Sequence, residues 1–241
     1  MTPRNLALLA AVTAVSLTAL LGGCAGSSSG SAPSEDPAET LDTDLGAAWL
    51  DGGRMVGLIT QGSSTCVPTA EGEYADGVLQ VTLTDVSEGA CTSDFAPRVS
   101  LVAVPEDVDP SANLVIEVTG AGFGGEVTLP GVDGLAFEGV SEQTPSAGWT
   151  TAEGGVIVLL WGSSGCPELV TATEVTGDAA ATATLSGVEE DKVCTADYAP
   201  NPQLTAIDGL GGVQDVQLTI SGPVGESFTT TILGVNPASA G

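Results

Sequence analysis

The chain of 241 residues contains no histidine and only four lysine or arginine residues. Without histidine it cannot form Ser-His-Asp or Cys-His nucleophile systems, and imidazole metal sites are excluded too. The glycine-rich segment Gly120–Gly125 follows a strand pattern but precedes no helix pattern. It therefore predicts a turn rather than a phosphate-binding loop. From these absences we predict no catalytic residues, no metal and no cofactor, so the protein is expected not to be an enzyme.

Positive charge is scarce, because four basic residues stand against 31 acidic ones and give a formal charge of −27. A surface of this sign repels nucleic acid phosphates and anionic lipid headgroups, so we expect no nucleic-acid partner. The densest acidic runs are 106–109 and 189–191. Neither has the central glycine and terminal glutamate of the twelve-residue calcium loop, so solvated loops are favoured over calcium sites.

The first 24 residues have the pattern of a secretory leader. Arg4 precedes an apolar run from Leu6 to Leu21, and the small residues Gly22 and Gly23 lead directly to Cys24. The run of 16 residues is shorter than the roughly 20 that a membrane-spanning helix needs. A positive start, an apolar middle and small residues before a cleavage position are typical of an export signal.

The segment Leu21-Gly22-Gly23-Cys24 resembles the lipobox of bacterial lipoproteins. The resemblance implies that residues 1–23 are a signal peptide and that Cys24 is the lipidation site, carrying palmitate-type acyl chains after cleavage. The mature chain would keep three basic residues, for a formal charge of −28. Two or more acyl chains give stable anchoring. We therefore expect an extracytoplasmic protein held at the cell membrane, with residues 24–44 as the lipidated cysteine and a disordered tether, because residues 25–40 contain no large apolar side chain.

The remainder of the chain contains an internal repeat. Gly62-Ser63-Ser64-Thr65-Cys66 corresponds to Gly162-Ser163-Ser164-Gly165-Cys166, and the seven residues from Cys91 correspond to the seven from Cys194. Trp49 also corresponds to Trp149. The offset of 100 to 103 residues matches the usual size of one domain. We predict repeat 1 over 45–140, a linker over 141–147 and repeat 2 over 148–241.

Five cysteines leave four for pairing once Cys24 is set aside. The repeat favours disulfides within each copy, Cys66–Cys91 and Cys166–Cys194. The alternative, four thiolates on one metal ion, usually has a closer Cys-x-x-Cys spacing. Export to an oxidising compartment also favours disulfides.

Apolar residues alternate with polar ones along several segments, as in Leu79, Val81 and Leu83. This period of two predicts half-buried strands, and the unbroken run 156–161 predicts a strand buried on both faces. We therefore predict an all-β protein built from two tandem immunoglobulin-like β-sandwich domains. The tryptophans Trp49, Trp149 and Trp161 are assigned to the core.

Asp94 and Asp197 occupy equivalent positions, three residues after a half-cystine. Two carboxylates near a pseudo-twofold axis could share a proton, as in aspartic proteases. The surrounding residues lack the Asp-Thr/Ser-Gly turn of those enzymes, so a structural Asx-type turn is favoured. The motifs Gly-Ser-Ser-x-Cys and Cys-Thr-x-Asp loosely resemble uncharacterised lipoproteins of actinobacteria, and that resemblance implies no activity.

Three functions are compatible with these features. The favoured one is a non-catalytic envelope module that contacts a protein or a polymer. The first alternative is a carboxylate-dependent hydrolase of cell-wall glycan, which needs two acidic residues in one cleft. The second is a solute-binding lipoprotein, although such proteins usually have two α/β lobes.

Overall fold

The computed structural model describes residues 45–86, 89–136, 140–188, 191–223 and 225–237. Cys24, the predicted signal peptide and tether, Glu189 and Glu190 lie outside these ranges. Within them the chain forms fourteen strands and one short 3-10 turn at Asp51–Gly53, so the protein is all-β as predicted. No helix in these ranges is long and apolar enough to cross a membrane.

Repeat 1 contributes seven strands, β1 (Gly46–Leu50), β2 (Met55–Gly62), β3 (Thr69–Ala75), β4 (Val78–Thr84), β5 (Ala96–Ala103), β6 (Leu114–Gly120) and β7 (Phe123–Leu129). Repeat 2 contributes the equivalent seven, β8 (Ser146–Trp149), β9 (Gly155–Gly162), β10 (Val170–Gly177), β11 (Ala180–Leu185), β12 (Ala199–Ala206), β13 (Gln217–Ser221) and β14 (Ser227–Leu233). The predicted linker 141–147 includes the first two residues of β8.

In repeat 1 the strands form two sheets with the orders β1-β2-β5 and β3-β4-β6-β7. A hydrophobic core lies between them, where Trp49 and Leu58 from one sheet meet Leu79 and Ile116 from the other. The Trp49 side chain is fully buried and its Nε1 donates a hydrogen bond of 2.8 Å to the Pro130 carbonyl. The glycine-rich segment supplies the turn between β6 and β7, as its sequence predicted.

In repeat 2 the same strands form one sheet of order β10-β11-β13-β14-β8-β9-β12. β14 and β8 connect its two halves through a short parallel pairing of Ile232 with Ala147 and Leu233 with Gly148. The core again lies between the halves, with Trp149 and Val158 on one side and Ala183 and Leu218 on the other.

The immunoglobulin-like prediction was wrong about topology. β4 pairs in parallel with β6, and β11 pairs in parallel with β13. Immunoglobulin domains are built from antiparallel sheets. Here the connection between β4 and β6 passes through β5 in the other sheet, so β6 returns in the same direction as β4. Parallel pairing across such crossovers, in sheets that stack, is closer to a solenoid pattern than to an immunoglobulin sandwich.

A third core cluster joins the two repeats, whose described residues belong to one compact unit. It contains Leu50 and Ile59 from repeat 1 and Ile157 and Leu159 from repeat 2. β9 therefore has apolar neighbours on both faces, since Val158 belongs to the repeat 2 core. This explains the unbroken apolar sequence of that strand.

The contacts between β1 and β8 are reciprocal. A side chain at Gly46 would contact Thr151. The Asp51 N–H donates a hydrogen bond of 3.0 Å to the Ser146 hydroxyl. The start of each strand therefore lies beside the end of the other. The two strands therefore run antiparallel around a pseudo-twofold axis. Because β2 is antiparallel to β1 and β9 to β8, the last residues of β2 and β9 point toward opposite ends of the molecule.

Candidate functional site

The most distinctive repeated feature is the pair of disulfide-closed loops that follow β2 and β9. We define tip 1 as residues 62–68 and 91–97, and tip 2 as residues 162–168 and 194–200. The disulfides are Cys66–Cys91 and Cys166–Cys194, with Cα–Cα distances of 5.5 and 5.3 Å. These are the pairs that the repeat predicted. Disulfides of this kind are typical of an extracytoplasmic protein.

In tip 1, the Asp94 carboxylate connects the two sides of the disulfide loop. It accepts hydrogen bonds from the Ser64 N–H, at 3.2 and 3.4 Å, and from the Thr92 hydroxyl. The Thr92 hydroxyl also lies 2.9 Å from that of Ser63. Hydrogen bonds from Ser64 and then from Thr92 lower the pKa of Asp94 to about 2.

Tip 2 repeats this network with the equivalent residues. The Asp197 carboxylate accepts the Ser164 N–H at 3.2 Å and the Thr195 hydroxyl. The Thr195 hydroxyl also accepts the Gly165 N–H at 2.9 Å. Hydrogen bonds from Ser164 and then from Thr195 lower the pKa of Asp197 to about 2.

The predicted turn was local, with each aspartate bonding the backbone that follows it. The structure instead shows Asp94 and Asp197 bonding the Gly-Ser-Ser segment across the disulfide. Both carboxylates are ionised at neutral pH, because donors to the charged form lower their pKa values. The tips lie at opposite ends of the molecule, so the two residues do not form a proton-sharing pair.

Each tip presents an exposed aromatic residue directly after its aspartate. Phe95 in tip 1 is 73% exposed, and Tyr198 in tip 2 is 60% exposed. Both residues lie inside the repeated motif, but neither had a predicted role. The signal that could have found them is an aromatic side chain at the same motif position in both copies.

Trp161 lies at the edge of the core that it was predicted to join. It is half-buried and packs against the cluster shared by the two repeats. Its ring stacks on Tyr198 with 6.1 Å between centroids and 21° between planes. The Tyr198 hydroxyl donates a hydrogen bond of 3.1 Å to the Gln143 carbonyl, so the tyrosine ring is held both by stacking and by its hydroxyl. The equivalent of Trp161 in repeat 1 is Gln61, so the two tips differ in their aromatic content.

The acidic run 106–109 contains a turn that is closed by hydrogen bonds to Asp109. Asp109 Oδ1 accepts the Ser111 N–H at 2.9 Å and the Ser111 hydroxyl at 2.7 Å. These bonds, the side-chain one first, lower the pKa of Asp109. Among the described residues, no three His, Cys, Asp or Glu side chains come close enough to hold a metal ion.

Comparison with known proteins adds no relative. No protein-family model, no curated protein and no solved structure matches this chain.

Proposed function

We propose that this protein is a membrane-anchored envelope lipoprotein that acts as a non-catalytic binding module with two tandem β units. The observation that carries this proposal is the exposed aromatic residue at the same position of both tips, Phe95 and Tyr198. Tyrosine, tryptophan and phenylalanine are enriched in the buried core of protein–protein interfaces. Their repetition in both copies favours a role in contact with a protein or a polymer of the cell envelope.

The rigidity of the tips supports this role. Each aromatic residue directly follows an aspartate that is hydrogen-bonded across a disulfide loop. A segment that is held in place before binding loses less conformational entropy when it binds. The segment that carries each aromatic residue is therefore preorganised for binding.

Photo-crosslinking on intact cells tests the binding role. A photoreactive phenylalanine analogue is placed at position 95 or 198, with matched control positions at Glu73 and Glu174 on β3 and β10. We expect adducts with a defined envelope protein or glycan from positions 95 and 198 and not from the controls. Equal labelling at all four positions, or none at either tip, would contradict the proposal.

The anchor is tested separately. We expect the native protein to be labelled by palmitate and retained with membranes, because its acyl chains bury in the bilayer. Cys24→Ser should remove the label and prevent cleavage before residue 24. A Cys24→Ser protein that is labelled as strongly as the native one would refute lipidation at this residue.

A further inference from the structure

The two repeats differ in what covers the end of the hydrophobic core beside each tip. In repeat 1, Arg98 on β5 lies opposite Thr60 on β2. Its Nη1 donates 2.6 Å to the Cys66 carbonyl, and its Nε donates 3.4 Å to the Thr60 hydroxyl. The Thr60 side chain is fully buried at this end of the core. The guanidinium of Arg98 therefore fills the space between core and tip.

In repeat 2 the same two positions are occupied by Leu160 and Asn201, which are again paired across β9 and β12. Asn201 is shorter than arginine, and its side-chain N–H bonds locally to the Ala199 carbonyl at 3.2 Å. Nothing equivalent to the Arg98 guanidinium spans this end among the described residues. The repeat 2 core is consequently open toward tip 2.

The opening is an apolar groove of about 400 Å³. Its deepest residues are Leu160, Leu185 and Ile220, which are 6%, 8% and 3% exposed and belong to the repeat 2 core. Trp161 and Phe228 also line it. The Trp161 Nε1 is buried and has no acceptor among the described residues. A volume of this size accommodates one large apolar side chain together with its backbone.

The charges around the groove are of one sign. Glu168 and Glu226 line it, and no lysine or arginine does so among the described residues. A partner with positive charges beside its apolar group is therefore complementary, whereas an anionic lipid or a fatty acid would be repelled. A second copy of this chain is equally unsuited, because each copy has a formal charge of −27.

We propose that this groove binds a partner peptide segment in which a large apolar side chain is flanked by lysine or arginine. The apolar side chain enters between Leu160, Leu185 and Ile220, and its cationic neighbours pair with Glu168 and Glu226. The inference rests on the proposed binding function and specifies its chemistry at tip 2. Aromatic or aliphatic anchors in a desolvated pocket with charges at the edge are the usual arrangement of strong interface positions.

The test uses the mature full-length protein and three peptides, acetyl-Lys-Phe-Lys-amide, acetyl-Lys-Ser-Lys-amide and acetyl-Glu-Phe-Glu-amide. Binding is followed by calorimetry and by tryptophan fluorescence. Trp161 lines the groove and its emission should change on binding, whereas the buried Trp49 and Trp149 should contribute a constant background. We expect Lys-Phe-Lys to bind at least about tenfold more tightly than either control peptide, with an affinity that falls as salt rises. Equal binding of Glu-Phe-Glu would overturn the proposed chemistry.

Two sets of variants locate the binding. Leu160→Thr/Asn201→Arg gives repeat 2 the residues that cover the core end in repeat 1. This double variant should weaken Lys-Phe-Lys binding at least about tenfold. The matched reciprocal, Thr60→Leu/Arg98→Asn, changes repeat 1 and should leave the peptide's affinity at the repeat 2 groove unaltered. Glu168→Gln/Glu226→Gln, a surface change that leaves the core intact, should remove most of the salt dependence.

The outcomes are separable. Unchanged peptide affinity in a folded Leu160→Thr/Asn201→Arg protein would overturn the groove as the site, and unchanged salt dependence in Glu168→Gln/Glu226→Gln would overturn the charge pairing. Binding of the neutral apolar dye N-phenyl-1-naphthylamine without any peptide binding would show an apolar site with a different occupant, and would also overturn the proposal. Crosslinks from positions 95 and 198 would still support the binding function in each of these cases.

Discussion

At the scale of single residues, Asp94 and Asp197 connect the two segments of each tip through hydrogen bonds. Each accepts a backbone N–H from the Gly-Ser-Ser segment and a hydroxyl from the threonine two positions earlier. A carboxylate that accepts several hydrogen bonds is favoured in its charged form. The cost of losing either residue should therefore depend on pH.

We predict that Asp94→Asn and Asp197→Asn lower the melting temperature at neutral pH. Each folded pKa is lowered from 3.8 to about 2, so the stabilisation is fully present above about pH 4. It is lost as the pH falls through 2, where the native carboxylate also becomes neutral. Thermal melts between pH 7 and pH 2 should show the difference between native and variant proteins shrinking below pH 4.

Glu73→Gln on the exposed side of β3 provides the control for this series, since it removes one charge without touching a tip. A difference between Asp94→Asn and the native protein that stays constant down to pH 2 would show that the carboxylate charge is not what stabilises the tip.

At the scale of elements, the sequence predicted strands better than it predicted their order. The alternation at Leu79, Val81 and Leu83 correctly indicates a strand with one buried face, because side chains alternate across a sheet. It cannot show that β4 has a parallel neighbour 37 residues later, where Val78 pairs with Val115. That pairing depends on the path of the crossover connection, and the alternation of apolar and polar residues carries no information about that path.

The same limit explains what was missed at the repeat interface and at the tips. β2 is buried on both faces, yet Gly57 and Thr60 interrupt its apolar pattern. Gly57 lies against Ile157 of the other repeat, so its small size is set by a contact distant in sequence. The disulfide pairing could be predicted because it followed from the repeat. The exposure of Phe95 and the groove near Leu160 could not be predicted, because both depend on tertiary packing.

The closest approach between β1 and β8 gives an element-scale prediction. A Cβ atom at Gly148 would lie 2.1 Å from the Trp49 carbonyl oxygen, far inside van der Waals contact. Gly148→Ala should force the two strands apart and destabilise the protein by about 2 kcal/mol or more. Gly162→Ala, where a Cβ meets nothing within 4 Å, is the matched control and should change the denaturant midpoint little.

If Gly148→Ala unfolded at the same denaturant concentration as Gly162→Ala, the close packing of β1 on β8 would be refuted. Retention of native near-ultraviolet circular dichroism in both variants would establish that they are compared in the same folded state.

At the scale of the whole molecule, the two repeats share a core rather than behaving as separate bodies. The cluster that contains Leu50, Ile59, Ile157 and Leu159 draws side chains from both copies. Unfolding one repeat would expose the apolar face of the other. Because exposing apolar surface is unfavourable, the repeats should unfold together.

We predict one cooperative thermal transition, with equal calorimetric and van't Hoff enthalpies. Leu159→Ala, which truncates a fully buried side chain at the shared cluster, should lower stability by about 2–5 kcal/mol and shift the whole transition. Val175→Ala on β10, at a position 38% exposed, should shift it far less. Two resolved transitions, of which Leu159→Ala moves only one, would refute this coupling.

The reciprocal packing of β1 against β8 has a consequence for how such a protein could arise. A surface related to itself by a twofold axis is what two identical subunits use when they form a homodimer. A single-copy ancestor with these strands would have assembled with a second molecule, and the complex would have dissociated on dilution. Joining both copies in one polypeptide makes the association independent of concentration, and it leaves each half free to diverge, as the arginine of one copy and the asparagine of the other show.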